Sequence, residues 1–79
     1  MNMEQLVERA VRKARTLEVG TQFVVRELFD GVEWNGIAVG VRRKLGVHFR
    51  SYVNDHPDCG VVFLGKRANN SSEYLRVED

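Results

Sequence analysis

The 79-residue chain predicts a small α+β domain, three helices followed by a C-terminal β-hairpin. Three observations carry that expectation. Residues 3–17 and 36–54 each repeat apolar side chains at helical intervals. Residues 59–77 hold two short extended runs separated by Asn and Ser. Between these halves stands His56-Pro57-Asp58, and proline cannot continue a helical hydrogen-bond ladder.

In the first segment Met3, Leu6, Val7, Ala10, Ala14 and Leu17 fall on one helical face, so the helix spans roughly Met3 to Leu17. Glu4 and Glu8 come early and Arg12, Lys13 and Arg15 late, the order the helix macrodipole favours. Gly20 is placed to end it. Thr21-Gln22-Phe23 is a short extended piece. Val24–Phe29 reads as a short helix with Val25, Leu28 and Phe29 inward, closed by an Asp30-Gly31 turn. Trp34 falls in the following loop as a core plug whose ring N–H reaches a carbonyl, and Asn35 is the expected N-cap of the next helix.

From Gly36 to Asn54 the chain carries four basic side chains and no acid. At about 100° per residue, Ile37, Val41, Leu45, Phe49 and Tyr52 form one apolar stripe with Val53 at its edge. Arg43, Val47, Arg50 and Asn54 lie opposite, flanked by Lys44 and Ser51. One side is to be buried and the other shown to solvent or to a polyanion. Cys59–Gly65 reads as a strand, 68–72 as a turn-forming loop, and Glu73–Val77 as a returning strand. Helix, short strand, helix, turn, helix, hairpin is the order of a winged helix-turn-helix, in one domain covering residues 1–79.

Composition agrees. Hydrophobic content of 43% and charged content of 29% belong to a folded domain rather than a disordered tail. A chain of this length buries roughly 60% of its unfolded surface. The single cysteine, Cys59, excludes an internal disulfide and fits a reducing compartment. The first residues lack the pattern of a secretory signal, and no apolar run is long enough to span a membrane, so the cytoplasm is expected.

A net charge of +1 says little, but its distribution says more. Between Gly36 and Ser72 lie Arg42, Arg43, Lys44, Arg50, Lys66 and Arg67, against Asp55 and Asp58. Between Val24 and Asn35 the balance reverses, with Glu27, Asp30 and Glu33 against Arg26. In a helix-turn-helix the second helix enters the major groove, and arginine there can grip guanine or phosphate. The hairpin tip, Lys66 to Ser72, would be the wing, its cations and short amides suited to a phosphate backbone. The candidate nucleic-acid-binding residues are therefore Arg42, Arg43, Lys44, Arg50, Asn54, Lys66, Arg67, Asn69 and Asn70, with duplex DNA the expected partner. RNA ranks lower, because Phe23, Phe29, Trp34 and Phe49 are claimed by the core and leave no evident stacking platform. One strain stands out: a connection from Asp30 to Asn35 exceeds the usual three to four residues of the motif. The alternative is a protein-binding adaptor or inhibitor of a host enzyme that uses the acidic patch, since fold does not dictate function. A monomer or weak homodimer is expected in either case.

Catalytic signals are poor. Gly60 to Lys66 has phosphate-loop spacing, but Arg67 stands where Ser or Thr would bind magnesium, and the intervening residues are strand formers. His56 and Cys59 are spaced like half a metal site, yet zinc takes four ligands and only His48 remains. Cys59, at the head of a buried strand, reads as inert packing. No enzyme activity, cofactor or metal is expected.

The run Phe23 to Asn35, with Arg42, Arg43, Leu45-Gly46, Phe49, Gly65-Lys66, Asn70 and Tyr74, resembles a family of small uncharacterised, winged-helix-like proteins. They occur in Gram-positive bacteria, their phages and mobile elements. The resemblance covers most of the chain after the first helix, and Leu-Phe-x-Gly-x-x-Trp-Asn and Leu-Gly-x-x-Phe are its more specific pieces. It implies a helix-turn-helix-like domain and assigns no functional residue. Among the shared residues, Phe23, Leu28, Phe29, Trp34, Leu45 and Phe49 would build the core, and Gly46 would permit close helix approach.

Overall fold

A computed structural model of the chain describes residues 2–66 and 71–78. Helix α1 spans Met3–Arg15 and buries Leu6, Val7, Ala10 and Ala14, as the stripe predicts. Asn2 caps it by accepting from the Gln5 N–H, while Gln5 returns a bond to the Asn2 N–H. The helix stops two residues before Leu17, and Gly20 (φ 96°) serves the turn that follows rather than the helix end.

Strand β1 is Gln22–Val24, and the short helix expected over Val24–Phe29 is a 3-10 turn, Val25–Leu28. Val25, Leu28 and Phe29 are nevertheless buried. The Glu27 carboxylate holds the turn by accepting from the Val24 N–H at 2.9 Å. Asp30-Gly31 is not a closing turn. Asp30 is the N-cap of helix α2, Gly31–Asn35, accepting from the Glu33 N–H at 2.8 Å. That bond holds the Asp30 carboxyl below the usual carboxylate range. Trp34 thus lies on a helix and is half-buried, its ring 6.0 Å from that of Phe29. Asn35 ends α2 instead of capping the next helix, a position Ala38 takes without any side-chain bond.

Helix α3 runs unbroken through Gly46 from Val39 to Asp55. Leu45, Phe49 and Val53 are buried, with Ile37, Val41 and Tyr52 packed at the margin. The connection between α2 and α3 is Gly36-Ile37-Ala38, three residues. The strain in the sequence reading therefore disappears, because the helix preceding the turn is α2 and not the segment 24–29.

Strands β2 (Val61–Lys66) and β3 (Ser72–Arg76) form the C-terminal hairpin, and β1 joins it to give an antiparallel sheet of order β1-β3-β2. Tyr74 on the central strand pairs with Phe23 on one side and Phe63 on the other. Its ring is 4.9 Å from that of Phe49, edge-on, and joins the sheet to α3. Arg76 is buried, donating to the Gly60 carbonyl at 3.0 Å and to the Arg15 carbonyl at the end of α1 at 3.4 Å.

Candidate functional site

Between α3, the 3-10 turn and the hairpin lies an open cleft of about 560 Å³. Its floor is Val24, Val25 and Tyr74; Trp34, Gly46 and Val47 form part of its walls. Arg43 and Arg50 enter from α3, Lys66 from β2 and Arg26 from the 3-10 turn. Among the described residues these four cations form no ion pair. Four uncompensated positive charges above an apolar floor attract an anion.

A β-bulge brings Lys66 there. Up to Phe63 the hairpin register pairs Val61 with Arg76 and Phe63 with Tyr74; beyond it Gly65 pairs with Glu73 and Lys66 with Ser72. One extra residue on β2 reverses the alternation of faces, so Lys66 shares the face of Phe63 and Tyr74 instead of pointing away. Gly65 absorbs the distortion at φ 138°, a conformation that residues with a Cβ rarely adopt.

Of the residues expected at a nucleic-acid surface, Arg42, Arg43, Arg50 and Lys66 line the cleft. Arg42 is half-buried and structurally engaged: its Nε donates to the Trp34 carbonyl at 3.1 Å, and its guanidinium lies 5.2 Å from the Trp34 ring centre. The tie runs from the Trp34 carbonyl, and it fastens α2 to α3. Arg50 lies 4.2 Å from the centre of the Phe63 ring, joining α3 to the wing. Lys44 and Asn54 are exposed on α3 but outside the cleft. Arg67, Asn69 and Asn70 lie outside the described residues. Arg26 is an addition, counted in the sequence only as a lone cation in an acidic stretch. Only the β1–β3 pairing, which sets the start of the 3-10 turn beside the hairpin, reveals it. Gly46 does not serve close helix approach, since a Cβ there would meet nothing within 4 Å.

Each member of the acidic patch also has a local structural contact. Glu27 and Asp30 cap backbone N–H groups, and the Glu33 carboxylate is clamped by Arg9 and by Lys13 at 2.7 Å.

Element order, strand order and the three-residue turn define a winged helix-turn-helix domain with a cationic cleft between its second motif helix and its wing. The chain belongs to the family called Domain of unknown function (DUF1413), whose model matches residues 8–76. It is also similar to a solved structure of LP1413, a nucleic acids binding protein of the mobile element SCCmec type IV. The two are 20% identical with a TM-score of 0.72, over 95% of this chain and 86% of the other, and at that identity the likeness speaks for the fold. No curated protein matches the chain. No helix among the described residues is long and apolar enough to cross a membrane.

Proposed function

We propose that this domain binds nucleic acid, seating the sugar–phosphate backbone in the cleft between α3 and the wing. The observation that carries the reading is the convergence of Arg26, Arg43, Arg50 and Lys66, from three separate elements, on one groove without acidic partners among the described residues. The SCCmec protein's nucleic-acid binding supports it. The role is that of a binding module rather than an enzyme, an accessory to transcription or replication of a mobile element or phage, working in the cytoplasm. Duplex DNA fits α3 as the groove-entering helix. Its outer face offers little base-reading chemistry, because Val39, Gly40 and Val47 stand exposed beside Arg43 and Lys44. Binding then discriminates weakly between sequences.

One feature favours a second reading, single-stranded nucleic acid: the cleft floor is apolar and the half-buried Trp34 stands in its wall. The adaptor reading would rest on Glu27 and Asp30, which stay exposed after capping backbone N–H groups, because the charge of Glu33 is met by Arg9 and Lys13. The test is a backbone-amide NMR titration with random-sequence duplex and single-stranded DNA at two salt concentrations. Residues 39–54 and 61–66 should respond together, and the strand form giving tighter binding decides between the two. Absence of binding by either form at low salt sinks the proposal.

A further inference from the structure

Tyr74 sits at the centre of an aromatic cluster, with Phe23 at 5.8 Å, Phe49 at 4.9 Å and Phe63 at 5.6 Å, ring centre to ring centre. It is 0% exposed, and its hydroxyl oxygen makes no hydrogen bond among the described residues. The Ser72 hydroxyl is close enough to bear on the phenol's titration, yet the two do not meet in hydrogen-bonding geometry. Buried polar atoms without partners are rare and costly. Three of the four rings here are phenylalanine, and the packing makes no use of the fourth ring's oxygen. The same residue lines the cleft in which Arg26, Arg43, Arg50 and Lys66 gather.

We propose that the Tyr74 hydroxyl is the floor contact of a phosphate seat, donating to a phosphodiester oxygen whose charge is met by Arg43, Arg50 and Lys66. This rests on the nucleic-acid reading above and identifies the group recognised at its centre. Burial pushes the phenol up to about 12, against the opposing pull of the Arg50 charge and Ser72, so it keeps its proton at neutral pH. A protonated phenol is a donor and a phosphodiester is an acceptor, so the two match. The hydroxyl is closed to solvent in the free protein, and a neighbour must give way for a ligand to reach it. That movement is assigned to Arg50. Its side chain is long, its charge already bears on the phenol, and its guanidinium rests over Phe63, which packs on Tyr74. Drawn onto a phosphate, Arg50 leaves that ring and opens the floor.

The experiment is Tyr74→Phe, read by thermal unfolding and by fluorescence anisotropy with a labelled DNA oligonucleotide at fixed salt. Removing an unsatisfied buried hydroxyl should leave the melting temperature unchanged or raise it, while weakening binding about tenfold. A matching oligonucleotide with neutral methylphosphonate linkages should lose more affinity for the wild-type protein than for Tyr74→Phe. Inorganic phosphate, compared with chloride at equal ionic strength, should compete better against the wild type than against the variant. Wild-type affinity in a folded Tyr74→Phe protein, or an equal methylphosphonate loss in both proteins, overturns the assignment and leaves the binding function standing. Failure of the wild type to bind any oligonucleotide overturns the functional reading itself.

Discussion

Raising salt from 50 to 200 mM should strip this protein from DNA, and the cleft sets how steeply. Five cations line it without acidic partners among the described residues, and with Arg42 held on Trp34 the four left for phosphates are Arg26, Arg43, Arg50 and Lys66. If each neutralises one phosphate, the slope of log affinity against log salt is about −3.6 on duplex DNA and about −2.8 on a single strand. A fourfold rise in salt then costs roughly 150-fold in duplex affinity or roughly 50-fold on a single strand. Replacing Arg43 and Arg50 together by Ala should halve the slope, so that the same step costs only about 12-fold on a duplex. Arg42→Ala supplies the contrast. Its guanidinium is committed to Trp34, so its loss should lower the melting temperature through the α2–α3 junction while changing the slope much less. Fluorescence anisotropy over a salt series measures all three proteins. A wild-type slope shallower than about −1, or one unaffected by the Arg43 and Arg50 replacements, refutes the assignment of these cations to phosphate contacts.

Phe49→Ala removes a fully buried ring that touches Tyr74 edge-on, and urea titration should show a loss of about 3–5 kcal/mol, enough to unfold much of a marginally stable domain. Glu33→Ala breaks the clamp with Arg9 and Lys13, whose side chains are 41% and 32% exposed; the stability loss should stay below about 1 kcal/mol and shrink further in 1 M salt. Gly65→Ala forces a Cβ onto a φ of 138°, costing about 1–3 kcal/mol or displacing the bulge, and it should weaken DNA binding by turning Lys66 from the cleft. Because the Tyr74 phenol is raised from 10 to about 12, the unfolded chain ionises first as pH rises. This residue's share of stability is thus fully present below pH 10 and lost between 10 and about 12, a decline that Tyr74→Phe should remove from a pH series of melting temperatures.

The long elements were legible because their periodicity is strong. The α1 stripe and the Leu45–Phe49 stripe emerge in the core as spacing predicts, and Pro57 follows soon after α3. Elsewhere element ends shift by one or two residues, while the larger misplacements fall in residues 24–38. There α2 has only five residues and none fully buried, so it leaves no apolar period to detect. Val32, 86% exposed, even points the pattern the wrong way. Val25, Leu28 and Phe29 do have helical spacing, and a 3-10 turn buries them equally well. The site was half legible. Charge density singled out Arg43, Arg50 and Lys66, but contiguity in sequence also drew in Lys44 and Asn54, which face elsewhere. Arg26 and Tyr74 enter only through strand pairing, which no local pattern encodes.

The middle strand of the sheet is the last of its three in chain order. Until residues 72–76 arrive, β1 and β2 have nothing to pair with, since they never touch each other in the ladder. Partly folded chains therefore present two open edges and an unfilled aromatic hole where Tyr74 belongs. Closing the β1–β3 pair spans some fifty residues, a non-local step that slows folding. A lesion in this one short strand should accordingly favour misassembled, self-associating chains over a loosened native domain.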